Sequence, residues 1–268
     1  MKKLALVLGG GSAKGYAHIG VLKVLEKHGI KPDLIVGTSM GALVGGMYAA
    51  GKSVNEMEEM TKSVTSLGGF SLISTLFKGN LLSADKITKV ITKELGEAAH
   101  SDCKIPFVAI ATELKTGKEK RFDKGLLRDS ILSSTAIPGV FPKHKVGDKY
   151  YVDGGMVNNL GEDVARELMP DAVVLSVDVI GQYEKQLEAL KLKTLEHILN
   201  VSTMRTQMIT EMKPNLADLR IIITQPTVSL LDFSAETVQR AIRNGKNATT
   251  RNITKIKELL GMETNLKK

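Results

Sequence analysis

The chain has 268 residues, 43% of them hydrophobic, enough for one large domain or two small ones with an ample core. Aromatic residues are 4% of the total and tryptophan is absent, so an aromatic platform for nucleic acid is not expected. Lys and Arg (37) exceed Asp and Glu (29) by 8, with the lysines scattered as on a solvated basic surface; attraction to anionic lipid or nucleic acid is the sharper alternative.

The single cysteine, Cys103, excludes an intrachain disulfide framework and fits a reducing compartment. The N-terminal run Leu4-Ala5-Leu6-Val7-Leu8 stops at Gly9, short of the ~7–15 apolar residues of a signal-peptide core. No stretch approaches the ~20 apolar residues of a membrane span. A soluble cytoplasmic protein is expected.

Leu4 to Leu8 is unbroken and apolar, as in a parallel strand buried on both faces. It runs into Gly9-Gly10-Gly11-Ser12-Ala13-Lys14-Gly15. Tyr16 to His28 then carries Ile19, Val21, Leu22, Val24 and Leu25 at helical spacing, with Gly29 as a C-cap. A second short strand, Leu34-Ile35-Val36, leads through Gly37-Thr38-Ser39-Met40-Gly41 into a small-residue helix from Ala42 to Ala50. Ser53-Val54-Asn55-Glu56 is a capping box that opens another helix.

Residues 64–82 are apolar, glycine-punctuated and poorly periodic, which fits either a core-packed connection or a mobile lid facing lipid. A helix is expected from Ser83 to Leu95, a strand from Ile105 to Thr112 and a shorter partner from Lys118 to Phe122. A helix from Leu126 to Ser133 follows, then a short strand Tyr150-Tyr151-Val152 before Asp153-Gly154-Gly155. Val164 to Leu168 reads as helix and Ala172 to Val179 as strand. Beyond residue 180 come a long amphipathic pattern from Tyr183 to Met212, a strand from Leu219 to Ile223, and a helix from Ala235 to Leu260 that Gly245 either sits within or breaks. Strands alternating with helices indicate an α/β sheet with parallel strands. No linker, repeat or low-complexity segment divides the chain, so one domain is expected.

The chemistry gathers at Gly37-x-Ser39-x-Gly41, the pattern of a nucleophile elbow. A sharp strand-to-helix turn strains the serine backbone, and the flanking glycines avoid collisions with the neighbouring elements. The bland reading is a turn whose serine only caps the helix. Such a serine needs an oxyanion hole and a base. Gly10, Gly11 and Ser12 end a strand that enters a helix, so their N–H groups can converge on one oxygen. The same glycines could cradle a phosphate, but no acidic residue ends a strand ~20 residues on, as a dinucleotide fold requires. Gly46-Met47-Tyr48-Ala49-Ala50-Gly51-Lys52-Ser53 spells a P-loop, yet Gly46 falls inside the helix after Ser39 instead of following a strand.

For the base, the histidines are His18, His28, His100, His144 and His197, none in a recognisable triad setting. His144, in a loop after Pro142, is the least implausible of them. Asp153 is the alternative: a strand-end carboxylate before two glycines, able to take the serine proton if within hydrogen-bond reach. The plain reading of Asp-Gly-Gly is an ordinary turn.

Gly9 to Gly15 followed by Ala17-His18-Ile19-Gly20-Val21-Leu22, then Gly37-Thr38-Ser39-Met40-Gly41-Ala42, then Asp153-Gly154-Gly155, resembles the patatin-like phospholipase family in order and spacing. Ile105-Pro106-Phe107 through Thr116-Gly117, and Ser133 through Pro142, are similar to that family too. The resemblance covers residues 4–180. It implies an α/β three-layer sandwich with a mostly parallel central sheet, related in layout to α/β hydrolases. It also implies hydrolysis of lipid acyl esters through an acyl-enzyme by a serine–aspartate dyad without histidine, matching Ser39 and Asp153. By position, the Gly10, Gly11 and Ser12 amides would form the oxyanion hole, with Lys14, Gly15, Gly37, Gly41, Gly154 and Gly155 as motif support. Ser12 stands where glycine is usual in the family, and Lys14 where arginine is commoner.

No metal, cofactor or nucleic-acid partner is expected. An acyl-lipid or ester substrate is, with peripheral membrane contact through residues 64–82 and lysines such as Lys62 and Lys78. A lipid-binding or regulatory module with little turnover is the rival from another class, and nucleotide binding at the glycine loop or Lys52 ranks last.

Overall fold

The computed structural model describes residues 1–66, 82–181, 194–225 and 232–263. The suggested lid falls mostly outside the described residues, as do Lys78 and the first part of the Tyr183 to Met212 pattern. The elements in chain order are β1 (Leu4–Leu8), α1 (Ala17–Lys27), β2 (Leu34–Thr38), α2 (Met40–Ala49), α3 (Val54–Ser66) and α4 (Leu82–Leu95). They continue with β3 (Phe107–Glu113), β4 (Glu119–Phe122), α5 (Leu127–Ser134), β5 (His144–Val146), β6 (Lys149–Asp153) and α6 (Glu162–Leu168). Then come β7 (Val173–Asp178), α7 (Thr194–Met212), β8 (Leu219–Ile222) and α8 (Ala235–Leu260).

One sheet runs in the order β5-β6-β3-β2-β1-β7-β8, with β4 also paired to β3. The five strands from β3 to β8 are parallel, while β4, β5 and β6 are antiparallel. The sheet is therefore mixed, less uniformly parallel than the alternation of elements alone suggests. Loop length accounts for the β3–β4 and β5–β6 pairs. The connections at 114–118 and 147–148 suffice for hairpins, whereas a parallel return needs a crossover of about a dozen residues or more.

The apolar run of β1 follows from burial on both sides. Leu4, Leu6 and Leu8 join the larger core with α1, α2 and α8, and Ala5 and Val7 join a smaller core that α6 covers. The tail is tied to this frame. β8 pairs with β7, and Arg220 makes two hydrogen bonds to the buried Glu162 carboxylate (2.8 and 2.7 Å). On α7, Thr206 turns inward and is buried, while Val201, Met204, Met208 and Met212 are exposed. Among the described residues no helix is long and apolar enough to cross a membrane.

Gly245 does not break α8. The helix is continuous, capped by Ser234 at its start and by Gly261 in the left-handed region (φ +67°) at its end. Gly245 is instead the point where α8 crosses α1. A Cβ there would lie 1.9 Å from the Ala17 carbonyl oxygen, and one at Gly20 would lie 2.0 Å from that of Ile242. Both neighbours are backbone, so neither can swing away. Gly245→Ala should therefore destabilise the protein by about 1–3 kcal/mol or more, against little change for the exposed Asn247→Ala. Urea denaturation midpoints of the two variants check this; an unshifted midpoint for Gly245→Ala would refute the crossing geometry.

Candidate active site

β2 delivers Ser39 at its C-terminal end, directly before α2. The Ser39 backbone has φ +54° and ψ −122°, a region a non-glycine residue occupies only under constraint, at about 1–3 kcal/mol. The constraint is steric and polar. A Cβ on Gly41 would lie 2.0 Å from the Leu8 carbonyl oxygen, and one on Gly37 would lie 2.6 Å from the Ala42 Cα. Those two glycines let α2 leave β2 sharply and press against β1. The Ser39 N–H donates to Ser134 Oγ (2.8 Å), whose own hydroxyl donates to the Ile110 carbonyl (2.5 Å). Thr38 Oγ1 donates to the Asn158 carbonyl (3.0 Å).

Ser39 Oγ donates to Asp153 Oδ2 at 2.5 Å. The other carboxylate oxygen of Asp153 accepts from the Gly155 N–H (2.8 Å). Both side chains are buried, Ser39 at 5% exposure and Asp153 at 7%. Burial pushes the Asp153 carboxyl up to about 6, opposed by the hydrogen bonds from Ser39 and Gly155. The carboxylate is thus mainly ionised at neutral pH, yet more basic than an exposed one.

The glycine loop after β1 borders the pair. The Gly10 N–H donates to Asn159 Oδ1 (3.1 Å), and Asn159 Nδ2 donates back to the Gly10 carbonyl (3.4 Å). Of the three amides expected to face an oxyanion, Gly10's is therefore engaged by a side chain. The Gly11 and Ser12 N–H groups meet no acceptor among the described residues. Ser12 has φ +49°, which explains why a glycine suits this position, and its buried hydroxyl has no partner among the described residues. Lys14 is half-buried; burial lowers its ammonium, and Asp178 raises it. Gly15 sits against Met40, whose Cγ would be 2.4 Å from an added Cβ.

Among residues whose side chains are described, no histidine bonds to Ser39 or Asp153. His144 Nε2 faces Asp129 Oδ1 (3.2 Å). His100 lies between the Phe107 carbonyl (3.1 Å) and Ser130 Oγ (3.0 Å). His18 is fully buried against the Gly9 carbonyl (2.7 Å), and burial pushes it down to about 4, so it is neutral. His28 closes α1, and His197 falls in α7, where its side chain is not described. Lys52, the P-loop look-alike, is paired with Glu94 (2.8 Å), and Gly46 is inside α2. Cys103 is half-buried, with its thiol pushed up to about 11 by burial, so it offers no thiolate at neutral pH. No group of three or more His, Cys, Asp or Glu side chains among the described residues could hold a metal ion.

Two cavities meet at Ser39. The larger, about 250 Å³, is mostly apolar and passes Leu43, Val44, Met47, Ile91 and Phe141. The smaller, about 70 Å³, holds Asp153, Asn159 and the glycine loop, and is walled by Ser202, Thr203 and Thr206 of α7. The residues that the sequence reading did not single out are Ser134, Asn159 and this α7 wall. Ser134 stood in the Ser-Ser-Thr run, and Asn159 in an Asn-Asn pair soon after Asp153-Gly154-Gly155, an odd composition for a stretch that proves buried.

Residues 6–166 match the family model for patatin-like phospholipase, and the chain belongs to that family. It is 39% identical over 159 residues to an uncharacterised NTE family protein of Mycobacterium tuberculosis, covering 59% of this chain and 44% of that one. It is 32% identical over 190 residues to human patatin-like phospholipase domain-containing protein 6, covering 69% of this chain and 14% of the relative. The chain thus spans less than half the length of these relatives. In fold it resembles VipD of Legionella pneumophila, with a TM-score of 0.50 at 14% identity, over 95% of this chain and 67% of that one. The expected α/β layout, a central sheet between helices, is the observed one.

Burial of an ionised carboxylate carries a stability cost with a defined pH course. Below about pH 4 Asp153 is protonated whether folded or unfolded, and the native state bears no penalty. As pH rises through about 6 the folded protein must ionise a buried group, and stability falls. Asp153→Asn should therefore be more stable than native at pH 8 by about 2–3 kcal/mol, with the gap closing toward pH 4. Denaturant titrations at several pH values measure the gap; a gap independent of pH contradicts the assignment.

Proposed function

We propose that this chain is a serine hydrolase of acyl-lipid esters, acting through Ser39 and Asp153 by way of an acyl-enzyme. The observation that carries the reading is the 2.5 Å hydrogen bond from Ser39 Oγ, which borders an apolar cavity, to a buried carboxylate that has no cationic partner among the described residues. The family supports the substrate class. Ser39 Oγ attacks the ester carbonyl while Asp153 Oδ2 takes its proton. The oxyanion forms against the Gly11 and Ser12 amides, with Asn159 fixing the loop through Gly10. Collapse breaks the C–O bond to the leaving alcohol, whose oxygen takes the proton from Asp153. Water then attacks acyl-Ser39 and gives its proton to Asp153. The second collapse returns that proton to Ser39 and releases the fatty acid.

A carboxylate is ordinarily a weak base for this work. Its pKa near 6 brings it closer to the imidazole range, where general-base catalysis at neutral pH is efficient. The same reading treats the whole chain as one functional unit, since β8 extends the sheet and α8 packs on α1 beyond the family-matched residues. A cytoplasmic setting with peripheral contact to lipid belongs to it as well.

A fluorophosphonate probe should label Ser39 and leave Ser39→Ala unlabelled. Folded native protein that resists the probe would favour a lipid-binding module instead. Asp153→Asn should lower kcat/KM on acyl esters by about 10²–10⁴. In the native protein kcat/KM should climb as pH rises through about 6, where Asp153 ionises, and then level off. A rate that is flat from pH 5 to 8 would count against Asp153 as the base.

A further inference from the structure

The two cavities at Ser39 are not equivalent, and the difference orients the substrate. Ser12, Ser39 and Ile137 border both, so the reacting carbonyl belongs at their junction. Asp153 borders only the small cavity. The leaving oxygen must take its proton from Asp153, and proton transfer needs hydrogen-bond reach of about 2.6–3.2 Å. The leaving alcohol therefore lies on the small-cavity side, and the acyl chain extends into the apolar one.

One side of the small cavity comes from outside the family-matched residues. α7 contributes Ser202, Thr203 and Thr206. Thr206 Oγ1 donates to the Gly155 carbonyl (3.0 Å), which leaves its oxygen able to accept. Among the described residues, Ser202 Oγ makes a long contact to Met156 Sδ (3.5 Å), and it can both donate and accept. Asp153 is the one charged side chain among the described residues lining the cavity. Among the described residues no Lys or Arg lines it to receive a phosphate next to the ester. At about 70 Å³, the space suits a few atoms of an alcohol that carries hydroxyls.

We propose that the small cavity is the leaving-group subsite, that it takes a neutral polyol of the glyceryl type, and that Ser202 and Thr206 recognise its hydroxyls. The proposal rests on the hydrolase reading above. In the step it describes, the ester C–O bond breaks, the polyol oxygen takes the proton Asp153 received from Ser39, and acyl-Ser39 remains.

The test compares kcat/KM for a 1-monoacylglycerol and a methyl ester of the same acyl chain. Native protein should prefer the monoacylglycerol. Ser202→Ala and Thr206→Val should each lower that preference about two- to tenfold, the range of one neutral hydrogen bond. Thr206→Ser, which keeps the hydroxyl, should restore it. Leu43→Trp, which narrows the apolar cavity, should shorten the preferred acyl chain and leave the leaving-group preference in place. The proposal falls if native protein turns over both esters and neither Ser202→Ala nor Thr206→Val moves their ratio. It also falls if Leu43→Trp moves the ratio instead of the chain length. Native protein that turns over neither ester and resists the fluorophosphonate probe sinks the hydrolase reading itself, and this inference with it.

Discussion

The position of Ser39 beside Asp153 is a matter of strand register. Thr38 in β2 lies opposite Ile110 in β3, and the next β3 residue, Ala111, lies opposite Asp153 in β6. The two side chains thus approach each other across one strand, brought together from 114 residues apart in sequence. A one-residue slip between β3 and β6 would turn Asp153 to the other face of the sheet and carry the carboxylate away. That register is held close to the site itself. Thr112 Oγ1 donates to the Asp153 carbonyl (2.8 Å), the Asp153 N–H donates to the Ala136 carbonyl (3.0 Å), and a Cβ on Gly154 would lie 2.1 Å from the Ile110 carbonyl oxygen. The strained elbow at Ser39 makes sense within this frame. Its backbone cost is met by the packing of α2 on β1 and by the Ser134 hydroxyl, both supplied by the same sheet and its neighbours.

Electrostatics pulls the other way from packing. In the described structure nothing cationic neutralises Asp153. Two hydrogen bonds, from Ser39 and Gly155, oppose a larger burial effect. An unpaired buried carboxylate destabilises a fold, but its raised pKa gives it the proton affinity that the proposed role of base beside Ser39 calls for. A cation placed next to it would relieve the burial and lower that affinity. The ion pairs of this protein are elsewhere, as with Glu162 and Arg220, where binding β8 to α6 is a matter of structure.

Much of this was legible locally. The strands read from short apolar runs, the elbow from glycine spacing, and the capping box at Ser53 from residue types alone; Ser53 and Glu56 do bond each other's N–H groups. The look-alike P-loop could be set aside because helical context is also local. What stayed hidden depends on partners far along the chain. Asn159 meets Gly10 across 149 residues, and no pattern around either one announces the bond. The proposed oxyanion amides were read from motif, and the motif did not show that Gly10's is engaged by Asn159. β5 is three residues long, only half-buried or exposed, and lacks the alternation that marks a strand. Whether Gly245 sits within α8 or breaks it stayed open in the sequence because propensity counts only its cost within the helix, whereas its reason lies in the Ala17 backbone of another helix.

In the proposed dyad the base has no third residue to orient it and must be oriented in some other way. In a triad that task falls to a carboxylate behind an imidazole, which has a ring that can rotate and two nitrogens to distinguish. A carboxylate acting directly has two chemically identical oxygens, so only its direction needs fixing. The Gly155 N–H fixes it, by holding Oδ1 from two residues further along the short 3-10 turn that Asp153 itself caps. The turn is held in place by Thr206 from α7, through the Gly155 carbonyl. The orienting role is thus passed from a side chain to the backbone. This leaves the buried histidines free for structural work, His18 under the glycine loop and His100 between β3 and α5.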